Sequence, residues 1–166
     1  MDYEKQVRRV SGGDVKAFVD LTRQFQHMAF GAALSLVNDF HQAEDVVQEA
    51  FVAAWSTLAN LADPAAFPGW LRGIVRHQAS RMLRKRTPRT APLVEAEDLP
   101  SEEVPADRLL EQRRQSAMAV AAIVRLPDRL REAATLFFIH ECSHQDIVVF
   151  LGLPLATVNN RLHAAR

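Results

Sequence analysis

A proline-rich, acidic segment divides this sequence into two halves. Four of the eight prolines lie between Thr87 and Ala106, where the other residues are mainly small, polar or acidic. Such a segment cannot hold a helix, because proline lacks an amide donor and few of these residues can be buried. We therefore predict a flexible linker at 87–106 between two small domains, at 1–86 and 107–166.

Both halves carry apolar residues at helical spacing, without the alternation that is typical of strands. In the first half, Val15, Leu21 and Phe25 belong to one such stripe. Capping residues and prolines set the expected ends of each helix. The predicted helices are Ser11 to Val37, Gln42 to Leu61, Gly69 to Arg86, Asp107 to Leu126, Asp128 to Glu141, Ser143 to Leu151 and Leu155 to the chain end. The predicted fold class is therefore all-α.

The last two predicted helices are joined by a short turn at Gly152 to Pro154. A short helix, a glycine turn and a second helix with inward Val158 and Leu162 are typical of a helix-turn-helix. An ordinary helical hairpin fits the same spacing, so both interpretations stay open on this evidence.

Charge is strongly polarised along the chain, although the formal net charge is zero. Residues 64–94 contain no Asp or Glu, and acidic residues then dominate 95–111. The cationic residues of the first stretch are Arg72, Arg76, Arg81, Arg84, Lys85, Arg86 and Arg89. Clustered cations of this kind favour a phosphate-bearing partner, and most of them lie on the third predicted helix.

A second charged surface is predicted on the helix that spans Gln42 to Leu61. Its apolar residues, including Val46, Phe51 and Trp55, form one stripe that faces the core. Asp45, Gln48 and Glu49 lie at i, i+3 and i+4 on another side. The spacing therefore predicts an acidic, solvent-facing surface.

The stretch from His140 to His144 reads HECSH and matches the H-E-x-x-H motif of zinc proteases. That motif requires both histidines on one uninterrupted helix. Here Ser143 and Asp146 form the pattern of a helix start, which predicts a break between the histidines. A third ligand is also required, but the only downstream histidine, His163, lies in the last predicted helix, and no Glu follows Glu141. We therefore expect no metal site, no catalytic residue and no cofactor.

Bulk features favour the cytoplasm. The single cysteine, Cys142, excludes an internal disulfide and fits a reducing compartment. The first ten residues lack the apolar region of a secretory signal. The longest apolar run, Met28 to Val37, is too short to span a bilayer, so no membrane insertion is expected.

Four segments together resemble a known family, the extracytoplasmic-function (ECF) sigma factors of bacterial RNA polymerase. They read GGDVKAFVDLTRQF, AEDVVQEAFVAAW, FPGWLRGIVRHQASRMLRKR and LPDRLREAATLFFIHECSHQDIVVFLGLPLATVNNRLHAAR. The second segment is the most specific, because generic amphipathic patterning rarely produces it. The resemblance implies that the first half is sigma region 2 and that the second half is sigma region 4.

The resemblance also implies a role for each charged surface. Asp45, Gln48 and Glu49 would bind core RNA polymerase. The third helix would hold the opened minus-ten element of promoter DNA, and the last helix would read the minus-thirty-five element. The implied minus-ten residues are Arg72, Arg76, His77, Arg81, Arg84 and Lys85, and the implied minus-thirty-five residues are Thr157, Asn160 and Arg161.

Several positions depart from the family pattern. His77 stands where asparagine is usual, Asn159 and Asn160 replace a common Lys-Ser pair, and Glu141 replaces a glycine. The departure at His77 leaves the promoter sequence preference open, and the others weaken the match in the second half. Trp70 could stack on a DNA base, but a tryptophan at the start of an amphipathic helix is more typical of the core.

Two alternatives stay open at this point. A helix-turn-helix regulator that does not bind polymerase would explain the second half alone. Regulation by an anti-sigma factor is compatible with the sigma-factor interpretation. The family's last helix usually extends further, so the sequence is also compatible with a fragment of a longer protein.

Overall fold

The computed structural model describes residues 3–85 and 121–165, and every regular element in them is helical. The helices are α1 (Tyr3–Ser11), α2 (Val15–Val37), α3 (Phe40–Thr57), α4 (Phe67–Lys85), α5 (Asp128–Ala134), α6 (His144–Leu151) and α7 (Leu155–Ala164). The predicted linker at 87–106 and most of the predicted helix from Asp107 to Leu126 lie outside the described residues. The all-α prediction is confirmed.

Helices α2, α3 and α4 pack against one another and form the core of the first half. Phe25, Phe67 and Leu71 are among its largest fully buried side chains. Asp14 begins α2 by accepting a hydrogen bond from the Ala17 amide, and Asp39 begins α3 in the same way through Gln42. These caps satisfy amides that have no partner within the helix.

The first half differs from the sequence prediction at its amino-terminal end. We expected α2 to begin near Ser11, but Ser11 ends α1, a helix that was not predicted. Val7 and Val10 bury the inner face of α1 against α2. Val15, which the spacing placed in the core, lies 61% exposed at the first turn of α2.

The described part of the second half includes α5, a π-helical turn at Thr135–Ile139, α6 and α7. Ser143 caps α6, and Gly152 ends it in the left-handed conformation with a φ of 63°. Val158 and Leu162 of α7 are buried, and α7 contacts both α5 and α6. This arrangement is the predicted helix-turn-helix.

The two halves pack against each other through α2 and α4 of the first half and α5, the π turn and α6 of the second. Arg131 donates a hydrogen bond across this contact to the carbonyl oxygen of Ser35 at 3.2 Å. The buried apolar residues of both halves form one continuous cluster. No helix in the described ranges is both long and apolar enough to cross a membrane.

Candidate functional site

The acidic surface on α3 is exposed as predicted. Asp45, Gln48 and Glu49 all face solvent, while their sequence neighbours Val46 and Ala50 are buried. Val52 lies seven residues after Asp45 on the same side of α3, and it is 66% exposed. Sequence reasoning missed Val52 because a valine on an amphipathic helix is usually assigned to the core. An apolar residue beside carboxylates adds area that a partner can bury.

A groove of about 310 Å³ separates this acidic surface from α4. Asp45, Gln48 and Glu49 line one wall, and Gln78, Arg81, Met82 and Lys85 line the other. The sequence predicted two charged surfaces at separate positions. The structure brings the acidic surface and part of the basic surface together across one groove.

The six predicted minus-ten residues occupy different sides of α4. Arg81 and Lys85, four residues apart, face the groove beside α3. Arg72 and Arg76, also four residues apart, face the second half of the chain. His77 and Arg84 are exposed between these two pairs. The basic helix therefore presents one cationic pair to solvent at the groove and holds the other pair at the contact between the halves.

Arg72 forms the most enclosed ion pair among the described residues. Its Nε and Nη2 donate hydrogen bonds to the two carboxylate oxygens of Glu132, at 2.7 and 2.6 Å. The side chain of Glu132 is only 7% exposed, and that of Arg72 is 23% exposed. The hydrogen bond to Glu132 raises the pKa of the Arg72 guanidinium above its usual value, although burial acts in the opposite direction. Glu132 carries no signal in the sequence, because its partner lies 60 residues away.

Trp70 belongs to the edge of the core. Its side chain is half-buried, and its ring lies 5.9 Å from that of the fully buried Phe67. This position agrees with the core interpretation. Trp55, which we expected beneath the acidic surface with Phe51, is instead 42% exposed and contacts Phe18.

Helix α7 is the second helix of the helix-turn-helix. Asn160 is exposed on its outer face, and Thr157 and Arg161 are half-buried beside it. The buried Val158 and Leu162 fix the rotation of α7. Exposed amide, hydroxyl and guanidinium groups on one helix can form hydrogen bonds with base edges in a major groove.

The backbone conformation at Glu141 explains why glycine is usual at this position in the family pattern. Glu141 has a φ of 50°, in the left-handed region that favours glycine. The chain makes a sharp turn here, between the π turn and α6. The glycine that is usual here in the family that the sequence resembles would adopt the same conformation without steric cost.

The two histidines of HECSH lie in different surroundings. His140 follows the π turn and contacts Phe30 and His27 of α2, whereas His144 begins α6 and stacks on Phe137. The predicted break between them is present, with Ser143 as the cap of α6. Burial raises the pKa of the Cys142 thiol to about 11, so this thiol is protonated at neutral pH. Within residues 3–85 and 121–165, no group of three or more potential metal ligands is found.

The sequence matches family models of both halves. Sigma-70 region 2 matches residues 21–89, and sigma-70 region 4 matches residues 116–166. The RNA polymerase sigma-H factor of Pseudomonas aeruginosa is 31% identical over 96% of this chain and 88% of that protein. The ECF RNA polymerase sigma-E factor of Escherichia coli strain K12 is 33% identical, again over 96% of this chain and 88% of that protein.

A solved structure extends the similarity to three dimensions. The structure of CnrH in complex with the cytosolic domain of CnrY covers 99% of this chain and 92% of that chain. It has a TM-score of 0.62 and 25% sequence identity. The match to region 2 does not favour a regulator that consists of a helix-turn-helix alone. The chain belongs to the sigma-70 family of transcription initiation factors and, within it, to the ECF sigma factors.

Proposed function

We propose that this protein directs core RNA polymerase to promoters and helps to open their minus-ten element. The observation that carries the proposal is the groove between α3 and α4. Its acidic wall and its basic wall offer binding sites of opposite charge to two partners on one rigid support. A factor that binds both polymerase and DNA needs two such surfaces in a fixed relation.

Core polymerase binds the acidic surface on α3. Asp45, Gln48 and Glu49 are exposed on a helix whose other side is buried in the core, so their positions are fixed. Carboxylates on a rigid helix orient and select a basic partner surface. Val52 supplies an apolar contact at the end of this surface.

Promoter DNA binds α4 and α7. The cations of α4 hold the backbone of the opened minus-ten strand, and together they must offset the few kcal/mol that unstacking a base costs. Asn160, Thr157 and Arg161 of α7 contact the minus-thirty-five element. Few cations lie on α7, so most of the phosphate contacts belong to α4.

An anti-sigma factor is a further proposed partner. The structure of CnrH, which this chain resembles, contains the cytosolic domain of a second protein, CnrY. We also place the protein in the cytoplasm, where polymerase and promoter DNA are found. It has no reaction of its own in this proposal and needs no cofactor.

Co-elution with core polymerase tests the proposed docking surface. We expect wild-type protein to co-elute with purified core polymerase in size-exclusion chromatography. Asp45→Arg combined with Glu49→Arg should abolish co-elution, because like charges then face the basic partner.

A matched control is Glu4→Arg combined with Glu44→Arg. This variant makes the same change in net charge at two residues that do not line the groove and whose side chains are 45% and 47% exposed. It should co-elute like wild type. Retained co-elution of the Asp45 and Glu49 variant would exclude this surface as the docking site.

A further inference from the structure

The contact between the two halves includes two arginines that the proposed function assigns to promoter DNA. Glu132 of α5 accepts both hydrogen bonds from Arg72, and Arg76 Nη1 lies 3.7 Å from the same carboxylate. Two parallel bonds of this kind are the geometry in which arginine binds either a carboxylate or a phosphate. Glu132 therefore occupies the donors that a DNA phosphate would need.

A phosphate cannot form the two-bond contact with Arg72 Nε and Nη2 while Glu132 occupies both donors. Glu132 is almost fully buried, and α5 is held against α2 by the hydrogen bond from Arg131 to Ser35. Next to this bond, the π turn packs Leu136 against Gly31. Releasing the donors of Arg72 therefore requires α5 to move away from α4.

The contact leaves other DNA-binding residues accessible. Arg81, Arg84 and Lys85 of α4 remain exposed, as does Asn160 of α7. The closed arrangement therefore withdraws the donors of Arg72 from the minus-ten surface. It places Arg76, whose side chain stays 51% exposed, beside a carboxylate, and it does not cover the outer face of α7.

A buried ion pair is a contact that can be reversed. Bringing two charges out of water costs much of the attraction between them, so apolar residues could hold the halves together equally well. When the halves separate, both charges regain water, and Arg72 can exchange one anionic partner for another. An ion pair is thus suited to a contact in which DNA phosphate and Glu132 compete.

We propose that Glu132 is a latch: it holds Arg72 and Arg76 in a closed chain that binds single-stranded promoter DNA weakly. Separation of the two halves releases both arginines to the DNA backbone. This inference rests on the proposed function, since it takes single-stranded DNA as the ligand of α4.

The test uses the full chain with Glu132→Gln and a fluorescein-labelled single-stranded DNA of mixed sequence. If only the open chain binds this DNA and less than about a tenth of the wild-type protein is open, opening the latch should raise the affinity at least about tenfold. Small-angle X-ray scattering should show a larger radius of gyration.

Two further variants separate the latch from general charge effects. Asp128→Asn makes the same charge change on the same helix, at a side chain that is 92% exposed and pairs with Arg131 rather than Arg72. It should leave the radius unchanged and the affinity nearly so. Arg72→Glu combined with Glu132→Arg restores an ion pair, so it should be compact and bind DNA no better than wild type.

The latch is wrong if Glu132→Gln leaves DNA binding unchanged, whether or not the radius increases, or if Asp128→Asn raises the affinity equally. Arg81→Ala combined with Arg84→Ala tests the DNA surface independently. If that variant weakens binding while Glu132→Gln has no effect, the DNA surface stands and only the latch fails. If neither variant changes binding, α4 is not the DNA surface and both proposals fail.

Discussion

His140 lies at the contact between the two halves, with its imidazole against α2. The rings of Phe30 and His27 lie 5.6 and 6.2 Å from it. Its Nε2 is buried and has no hydrogen-bond partner within the described part of the chain. Burial, with a smaller contribution from the charge of His27, lowers the pKa of His140 from 6.5 to about 4.

This shift predicts that the closed protein loses stability in mild acid. Above pH 6.5 His140 is neutral in both the folded and the unfolded chain, so it has no effect. As the pH falls from 6.5 towards 4, the unfolded chain takes up a proton that the folded chain cannot, and the free energy of unfolding decreases. Urea titrations at about pH 7 and about pH 5 measure the difference.

His140→Gln removes the titrating group and should reduce this pH dependence. His77→Gln, at an exposed histidine of α4, is the matched control and should retain the wild-type dependence. An equal loss of stability in wild type and His140→Gln between the two pH values would contradict the assignment.

Whether a side chain is buried or exposed was predictable where the apolar pattern of its own helix determines it. Asp45, Gln48 and Glu49 are exposed because the rest of α3 fixes which side is buried. Val15 shares the spacing of the core stripe, yet the first turn of α2 extends beyond the residues that could cover it. Glu132 is a surface-type residue that only a distant arginine places in the interior.

Helix α6 depends on a capping box. The Ser143 hydroxyl accepts a hydrogen bond from the Asp146 amide at 3.1 Å, and the Asp146 carboxylate accepts one from the Ser143 amide at 3.2 Å. The helix has only eight residues, so its first turn is a large part of it. Ser143→Ala should therefore lower the free energy of unfolding by about 1 kcal/mol.

Chemical denaturation monitored by circular dichroism measures this change. Ser56→Ala is the matched control, because the exposed Ser56 hydroxyl donates within α3 to the Val52 carbonyl oxygen and caps nothing. It should change the free energy of unfolding by less than about 0.5 kcal/mol. Equal effects of the two substitutions would show that the box does not stabilise α6.

Whole helices were predictable where local signals agree, as in α6, where the capping box, the apolar spacing and Gly152 all define one segment. The nine-residue α1 could not be predicted in this way. It is rich in charge, and its two buried valines have a packing partner only when α2 is in place. The π turn at Thr135–Ile139 likewise interrupts a segment whose spacing predicts an ordinary helix.

The arrangement of the two halves has no signal in the sequence. The proline-rich segment predicts two domains, but nothing in it predicts whether they pack together. The contact depends on residues far apart in the chain, such as Ser35 and Arg131, and on the absence of a side chain at Gly31. Whether two helical surfaces fit together depends on their shapes, and composition and periodicity do not encode those shapes.

Gly31 provides a test of how strongly the halves depend on each other. A Cβ atom at this position would lie 2.9 Å from side-chain carbons of both Leu136 and His140. Through helix propensity alone, Gly31→Ala should stabilise α2 by about 1 kcal/mol. It should also cost about 1–3 kcal/mol at the contact, because the fully buried Leu136 has little space into which to move.

Two spectroscopic probes distinguish the halves during urea unfolding. Both tryptophans, Trp55 and Trp70, lie in the first half, so fluorescence reports that half, whereas far-ultraviolet circular dichroism reports helices in both. Because the buried residues of the two halves form one cluster, the two transitions of the wild-type protein should coincide. In Gly31→Ala the circular dichroism signal should begin to fall at a lower urea concentration than fluorescence.

Gly73→Ala is the matched control for the Gly31 substitution. Gly73 also lies within a helix, but a Cβ atom there would meet no heavy atom within 4 Å. This variant should gain helix propensity without any cost at the contact, so both probes should shift together to higher urea. Coincident transitions in Gly31→Ala would mean that the halves tolerate the added methyl group and that their packing does not depend on the close approach at Gly31.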